Sequence, residues 1–210
     1  MKLYDFWRSA AGFRVRIALN LKGIATDRVP VNLFAGDHRD TAYGDVNPLR
    51  LVPVLVDGDV IVHQSLAIIE YLDEVRPEPP LLPAGSATRA QVRGVALAFA
   101  ADTHPLHNIR VTTGLREFMG ASDEQCLDWS AHWSMVAFRA VEDLVAADGG
   151  QFCFGDTPTL ADCCLVPQII AGQRFEVDMT PYPAIMNIGE RCLALRAFQD
   201  ALPANQPDAP

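Results

Sequence analysis

Residues 52–72 read Val52-Pro53-Val54-Leu55-Val56-Asp57-Gly58-Asp59-Val60-Ile61-Val62-His63-Gln64-Ser65-Leu66-Ala67-Ile68-Ile69-Glu70-Tyr71-Leu72. Two β-branched runs flank Asp57-Gly58, the pairing expected of a β-hairpin with a tight turn. A helix follows over 66–75, with Ser65 as its cap and Leu66, Ile69 and Leu72 on its apolar face. Working back toward the N-terminus, Leu3 to Phe6 is a short strand, Phe13 to Leu21 a helix stopped by Gly23, and Val29 to Leu33 a second strand. A short helix fits the polar stretch around Gly36, Asp37 and Asp40. The order is β-α-β-α-β-β-α, which predicts a small α/β domain with a mixed sheet.

Working forward, residues 76–86 hold Pro77, Pro79, Pro80, Pro83, Gly85 and Ser86, a semi-rigid linker composition. Beyond them the pattern is helical, in segments of about 87–119, 123–148, 159–172 and 183–199. Pro203 to Pro210 reads as an extended or frayed tail. The expected division is an α/β domain at 1–80, a linker at 81–86 and an all-α domain at 87–210.

Composition narrows the function classes. The chain has 210 residues, 50% of them hydrophobic, and a net charge of −9 from 17 Lys+Arg and 26 Asp+Glu. That balance argues against nucleic acid or an anionic membrane surface as partner, since both select a dominant basic face. A small anionic substrate stays open, provided arginines gather locally. No apolar run approaches the roughly 18 residues of a membrane span, and charges at Lys2, Asp5 and Arg8 occupy the place of a signal peptide's apolar stretch. The five cysteines, at 126, 153, 163, 164 and 192, are odd in number and form no CxxC. Buried free thiols in a reducing cytoplasm are expected, with neither disulfides nor a metal site.

Several residues have the chemistry of a site, each with a plainer structural role beside it. Val52-Pro53 is either a cis turn that directs backbone groups outward or a trans proline opening a strand, and the pair alone favours the latter. Gln64-Ser65 precedes a helix whose N-terminus suits a carboxylate, while Ser65 is also an ordinary cap. Ser9, before the first helix, could donate to a thiolate or simply fill a turn. Pro105 within His104-Pro105-Leu106-His107-Asn108-Ile109-Arg110 implies a kink. The two histidines lack acidic or cysteine companions, so zinc is not expected. Arg110 and Arg174 are either anion-holding or solvated charges. Thr159-Leu160-Ala161-Asp162 fits a capping box, a folding role rather than a catalytic one.

Taken together, these residues resemble the glutathione transferase superfamily and, within it, the zeta class. The carriers are Arg8-Ser9, Arg14-Val15-Arg16-Ile17-Ala18-Leu19, Asn47-Pro48, His63-Gln64-Ser65-Leu66-Ala67-Ile68-Ile69-Glu70-Tyr71-Leu72, Pro105-Leu106 with Asn108, Ala161-Asp162, Leu165-Val166-Pro167-Gln168, Arg174-Phe175, Thr180-Pro181-Tyr182-Pro183 and Gln206-Pro207-Asp208. The resemblance implies a thioredoxin-like N-terminal domain, an all-α C-terminal domain, glutathione as cofactor and a homodimer. It implies cis–trans isomerisation of maleylpyruvate or maleylacetoacetate: a thiolate adds to the cis double bond, the bond rotates, and elimination leaves the trans alkene. It further implies that Val52 and cis-Pro53 hold the cysteinyl unit of glutathione, that Gln64 and Ser65 hold its γ-glutamyl end, and that Ser9 faces the thiolate. Arg8, Arg110 and Arg174 would clamp the anionic substrate, with His104 and Asn108 lining the same cleft on the cofactor side.

Two departures bear on the chemistry. Ala10-Ala11 stands where the family usually carries a hydroxyl or thiol pair, and Leu51 replaces a polar residue before Val52. Dehalogenation of a small α-halo acid and glutathione binding without catalysis are the competing expectations.

Overall fold

The computed structural model describes residues 1–148 and 150–210. It divides into two compact units, Met1–Leu82 with Ala194–Pro210, and Pro83–Leu193.

The first unit is a four-stranded mixed sheet. Strands β1 (Lys2–Asp5), β2 (Asp27–Pro30), β3 (Val54–Asp57) and β4 (Val60–His63) lie in the order β2-β1-β3-β4. β1 runs parallel to β2 and antiparallel to β3, and β3 and β4 form the expected hairpin. β2 begins two residues earlier than the apolar run Val29 to Leu33 suggests, because Lys2 to Asp5 pair with Asp27 to Pro30. Pro30 closes that strand on the sheet's edge, where its missing N–H costs least.

Helix α1 (Ala10–Leu21) starts three residues before its apolar period becomes visible. Ser9 caps it, and Gly23, in the left-handed region at φ 64°, ends it. The Ile24 N–H reaches the Leu19 carbonyl at 2.9 Å and the Gly23 N–H reaches Asn20 at 3.1 Å, the two bonds of a Schellman motif. The short helix α2 (Thr41–Val46) precedes β3, and α3 (Ser65–Val75) follows β4. Ser65 is the first residue of α3, and Gln64, at φ 72° and ψ 129°, takes the capping position expected for Ser65. Leu3, Phe13, Ile17, Leu55, Ile68 and Leu72 form a core between sheet and helices, each no more than 1% exposed.

Residues 194–210 belong to this unit, so the helical unit stops short of the residue 210 boundary that the sequence suggests. Nor is the tail frayed. Gln206 is buried and donates to the carbonyls of Asp200 and Leu202 at 2.9 and 2.7 Å, while Arg28 donates to it at 3.0 Å. The polar groups of the tail hydrogen-bond back onto the domain, Gln206 with Arg28 and Asp208 with the Trp7 N–H, an arrangement that composition alone reads as fraying.

The second unit is helical among its described residues: α4 (Ser86–Leu97), α5 (His104–His107), α6 (Ile109–Met119), α7 (Asp123–Asp148), α8 (Leu160–Arg174) and α9 (Pro183–Ala194). The last residue of α9 falls in the first unit, as does α10 (Arg196–Gln199). The segment expected as one kinked helix over 87–119 is broken: a π-helical turn at Ala98–Thr103 widens the path before Pro105, and Asn108 at ψ 163° separates α5 from α6. Proline lacks the N–H that an unbroken helix requires there.

The capping box at the start of α8 is complete. Asp162, wholly buried, accepts from the N–H groups of Cys153 and Thr159 at 2.9 and 2.7 Å and from the Thr159 hydroxyl at 3.0 Å. Phe99, Phe138, Leu165, Val166 and Ile185 fill the core of this unit. All five cysteines are free and buried, and no helix among the described residues is long and apolar enough to cross a membrane.

Candidate active site

Strand register gathers the first set of site residues. Tyr4 pairs with Val54, and Val54 pairs with His63. The chain leaving β1 toward Ser9, the chain arriving at β3 through Val52-Pro53, and the chain leaving β4 through Gln64-Ser65 therefore lie at one end of the sheet. In open α/β sheets such an end, beyond a strand's carboxyl terminus and beside helix N-termini, is where ligands bind.

The Ser9 hydroxyl oxygen accepts the N–H of Gly12 at 3.0 Å, and the Ser9 N–H donates to the Phe6 carbonyl at 2.9 Å. A hydroxyl that accepts as a cap keeps its own hydrogen for another acceptor. Arg8 is exposed, with its guanidinium over the ring of Phe34 at 5.3 Å.

The Val52-Pro53 bond is cis, the alternative that the dipeptide alone disfavoured. The approach to it is fastened by two residues whose part sequence reasoning missed. The Tyr43 hydroxyl and the Asn47 amide both donate to the Leu51 carbonyl, at 2.6 and 2.7 Å. Asn47 also accepts the Leu49 N–H at 3.0 Å, so Asn47-Pro48 carries a structural signal as well as a family one. Leu51 thus contributes its carbonyl to the fold.

Gln64 is exposed and begins α3 from a positive φ, which turns its side chain and the first free N–H groups of the helix to one end. Ser65 is buried and its hydroxyl accepts from the equally buried Arg14 at 3.3 Å. A cation beneath the first turn of α3 adds to the positive end of the helix dipole.

The second unit holds the rest. Asn108 caps α6 by accepting the Val111 N–H at 3.0 Å, and Arg110 is exposed on the first turn of that helix. Arg174, the last residue of α8, lies over the ring of Phe175 at 4.8 Å. That ring meets His107 edge-on at 4.9 Å, and His107 meets His104 at 5.5 Å. A continuous path of rings thereby links Arg174 to His104. Beneath it, Gln168 contacts His107 at 3.2 Å and donates to Ser134 at 3.1 Å, all three buried. Periodicity could have placed Gln168 on a buried face of α8, but only the fold shows that it supports His107.

The thiols of Cys153, Cys163 and Cys192 have their pKa pushed up by burial, which keeps them protonated and unreactive. They stand apart from the site chemistry, as expected for buried cysteines.

A mixed sheet with a cis-proline turn and a charged helix N-terminus at one end is the arrangement of a glutathione-binding domain. The family described as "Glutathione S-transferase, N-terminal domain" matches residues 8–75. A maleylpyruvate isomerase of a Ralstonia species is 46% identical over 211 residues, covering all of both chains. A maleylacetoacetate isomerase of Pseudomonas aeruginosa is also 46% identical, covering 100% of this chain and 99% of that one. The holo structure of a zeta-class bacterial maleylpyruvate isomerase superposes with a TM-score of 0.98 at 46% identity over the full length of both chains. A Methylobacterium maleylacetoacetate isomerase holding malonate and glutathione superposes with a TM-score of 0.97 at 43% identity, again over both full lengths. The chain belongs to the zeta class of the glutathione transferase family.

Proposed function

We propose that this chain is a glutathione-dependent cis–trans isomerase of a maleyl dicarboxylate, maleylpyruvate or maleylacetoacetate, acting in the breakdown of aromatic compounds. The observation that carries the reading is Ser9: its hydroxyl accepts from Gly12, so its hydrogen is left to serve an acceptor at the same sheet end as the cis-proline turn and the start of α3.

The residues present fit glutathione. The first-turn N–H groups of α3, with Ser65 and the side chain of Gln64, suit the carboxylate and amine of a γ-glutamyl group. The backbone of Val52, set by the cis bond to Pro53, suits pairing with a peptide unit. When bound, glutathione supplies a thiolate that adds to the cis double bond and departs once the bond has rotated. Ser9 donates its hydroxyl hydrogen to the sulfur and favours its ionised form, aided by the N-terminus of α1. No hydroxyl follows at Ala10 or Ala11, so Ser9 carries that task alone in this stretch.

Arg8, Arg110 and Arg174 hold the substrate's carboxylates and oppose the negative charge that grows as the sulfur adds, since a guanidinium fork suits bidentate anion binding. Phe175, backed by His107, holds the Arg174 guanidinium by stacking. His104 and Asn108 complete the cofactor side of the site. In this reading an acidic chain of net charge −9 concentrates three of its 17 cations on one dianion.

The same reading makes the protein a cytoplasmic homodimer. Five free buried thiols suit a reducing compartment. The exposed Leu49 together with Val60 and Ile61 of the edge strand β4 leave apolar surface for a second copy. Glutathione-dependent conversion of either maleyl substrate to its fumaryl isomer tests the activity, and light scattering tests the dimer.

A further inference from the structure

The turn that carries Arg8 and Ser9 is held by the far end of the chain. The Trp7 N–H donates to the Asp208 carboxylate at 2.9 Å, a contact across 201 positions of sequence. The Trp7 carbonyl accepts from the Arg16 guanidinium at 3.0 Å, so this one peptide residue is gripped from both sides. Arg16, 2% exposed, also donates to the Phe6 carbonyl at 3.4 Å and to the Ala201 carbonyl at 3.0 Å, and it pairs with Asp5 at 2.7 Å. The C-terminal segment therefore supplies two of the acceptors that define the turn: Ala201 through Arg16, and Asp208 directly. Gln206 adds a third attachment by accepting from Arg28, which itself meets Asp5.

We propose that residues 201–208 form a positioning strap for the Ser9 turn, with Asp208 as its working residue. The proposal rests on the reading of Ser9 as the donor to the glutathione sulfur and deepens it. Ser9 sits two residues beyond Trp7, on the turn that joins β1 to α1. Rotation of the Trp7 peptide would redirect both the Arg8 side chain and the Ser9 hydroxyl without disturbing Val52, Gln64 or Ser65. A carboxylate accepting from a backbone N–H is a charge-assisted bond, stronger than a neutral one, and fixes that peptide's orientation. In this assignment Asp208 is a positioning residue that acts through the turn, by its bond to the Trp7 N–H.

The test compares the full chain with Asp208→Ala and Asp208→Asn, the latter keeping a side-chain oxygen that can accept. Three readings are expected to change, namely hydrogen exchange in the peptide spanning Phe6 to Ser9, the pH titration of the bound glutathione thiolate by ultraviolet absorbance, and kcat; the glutathione KM serves as the control. The strap predicts faster exchange of that peptide in Asp208→Ala, and a thiol titration raised by roughly 0.5–1 pH unit, equivalent to about three- to tenfold less thiolate below the midpoint. It predicts a parallel fall in kcat, a glutathione KM changed by less than about twofold, and substantial recovery of all three readings in Asp208→Asn. Unchanged exchange in Asp208→Ala overturns the strap. Faster exchange with an unchanged thiol titration overturns its positioning role and leaves Asp208 a fold residue. A wild-type complex whose thiol titrates like free glutathione overturns the assignment of Ser9, and the positioning role falls with it.

Discussion

Arg16 meets Asp5 at 2.7 Å with both side chains 1% exposed, so the first helix is tied to the first strand by an ion pair almost wholly shielded from water. Removing one partner of such a pair leaves an uncompensated buried charge. Asp5→Ala is expected to cost about 3–5 kcal/mol of stability, because both Arg16 and Arg28 lose their carboxylate. Urea unfolding measures this; a loss below about 1 kcal/mol would show that the guanidinium groups find other acceptors.

Gly12 faces the same carboxylate. A Cβ at position 12 would overlap the Asp5 carboxyl group, itself boxed in by Arg16 and Arg28. Gly12→Ala, a favourable exchange in most helices, is expected here to lower stability by about 1–3 kcal/mol. Thermal unfolding reads the outcome, and a stabilised variant would contradict the packing described.

The capping box gives a third structural prediction. Asp162→Ala strands the buried N–H groups of Cys153 and Thr159 and the Thr159 hydroxyl. A loss of about 2–4 kcal/mol is expected from the cap and its unpaired donors, with glutathione affinity unchanged in the fraction that stays folded. Reduced affinity in that folded fraction would give Asp162 a role in the site.

The buried thiols set an alkaline limit. Burial raises the folded pKa of Cys153, Cys163 and Cys192 above the unfolded value of about 8.5. Below that value both states keep the protons and the thiols contribute their full stability. Above it the unfolded chain releases protons that the native chain retains, so stability falls as pH rises toward the folded values. Each thiol contributes a slope approaching about 1.4 kcal/mol per pH unit. Urea midpoints between pH 8 and 9.5 should decline under reducing conditions, and Cys192→Ala should flatten that decline. A pH-independent midpoint would contradict the burial of these groups.

Much of this architecture is legible in the chain itself. The hairpin around Asp57-Gly58, the helix read over 66–75 and the stop at Gly23 declare themselves, because turn chemistry and apolar period agree there. The cis bond at Val52-Pro53 does not, since it depends on strands and on Tyr43 and Asn47 brought in by the fold. Sequence also reads Ser65 as the cap, where the backbone places Gln64 in the left-handed region instead. The tail is the largest gap: Gln206 and Asp208 look like loose polar chain until their partners, Arg28 and Trp7, are seen beside them. Likewise the spacing of His104 and His107 gives no hint of the ring path that runs from His104 through His107 to Phe175 and Arg174.

The proposed clamp makes a kinetic prediction. Arg8→Ala, Arg110→Ala and Arg174→Ala should each lower kcat/KM for the dicarboxylate by about 10- to 150-fold, the loss of one charged hydrogen-bonding partner. Binding of glutathione, measured calorimetrically, should change far less. Lysine at these positions should restore only part of the activity, because it keeps the charge and loses the fork. A variant with full activity would remove that arginine from the clamp.

The central claim is isomerisation that depends on glutathione and on Ser9. Its most direct measurement follows the conversion of maleylpyruvate and maleylacetoacetate to their fumaryl isomers, with and without glutathione, by the wild type and by Ser9→Ala. The account predicts turnover of at least one substrate only when glutathione is present, and a fall in kcat of at least about tenfold in Ser9→Ala from the lost hydrogen bond to the thiolate. Failure to turn over either substrate in the presence of glutathione, or turnover undiminished by loss of the hydroxyl, would contradict it.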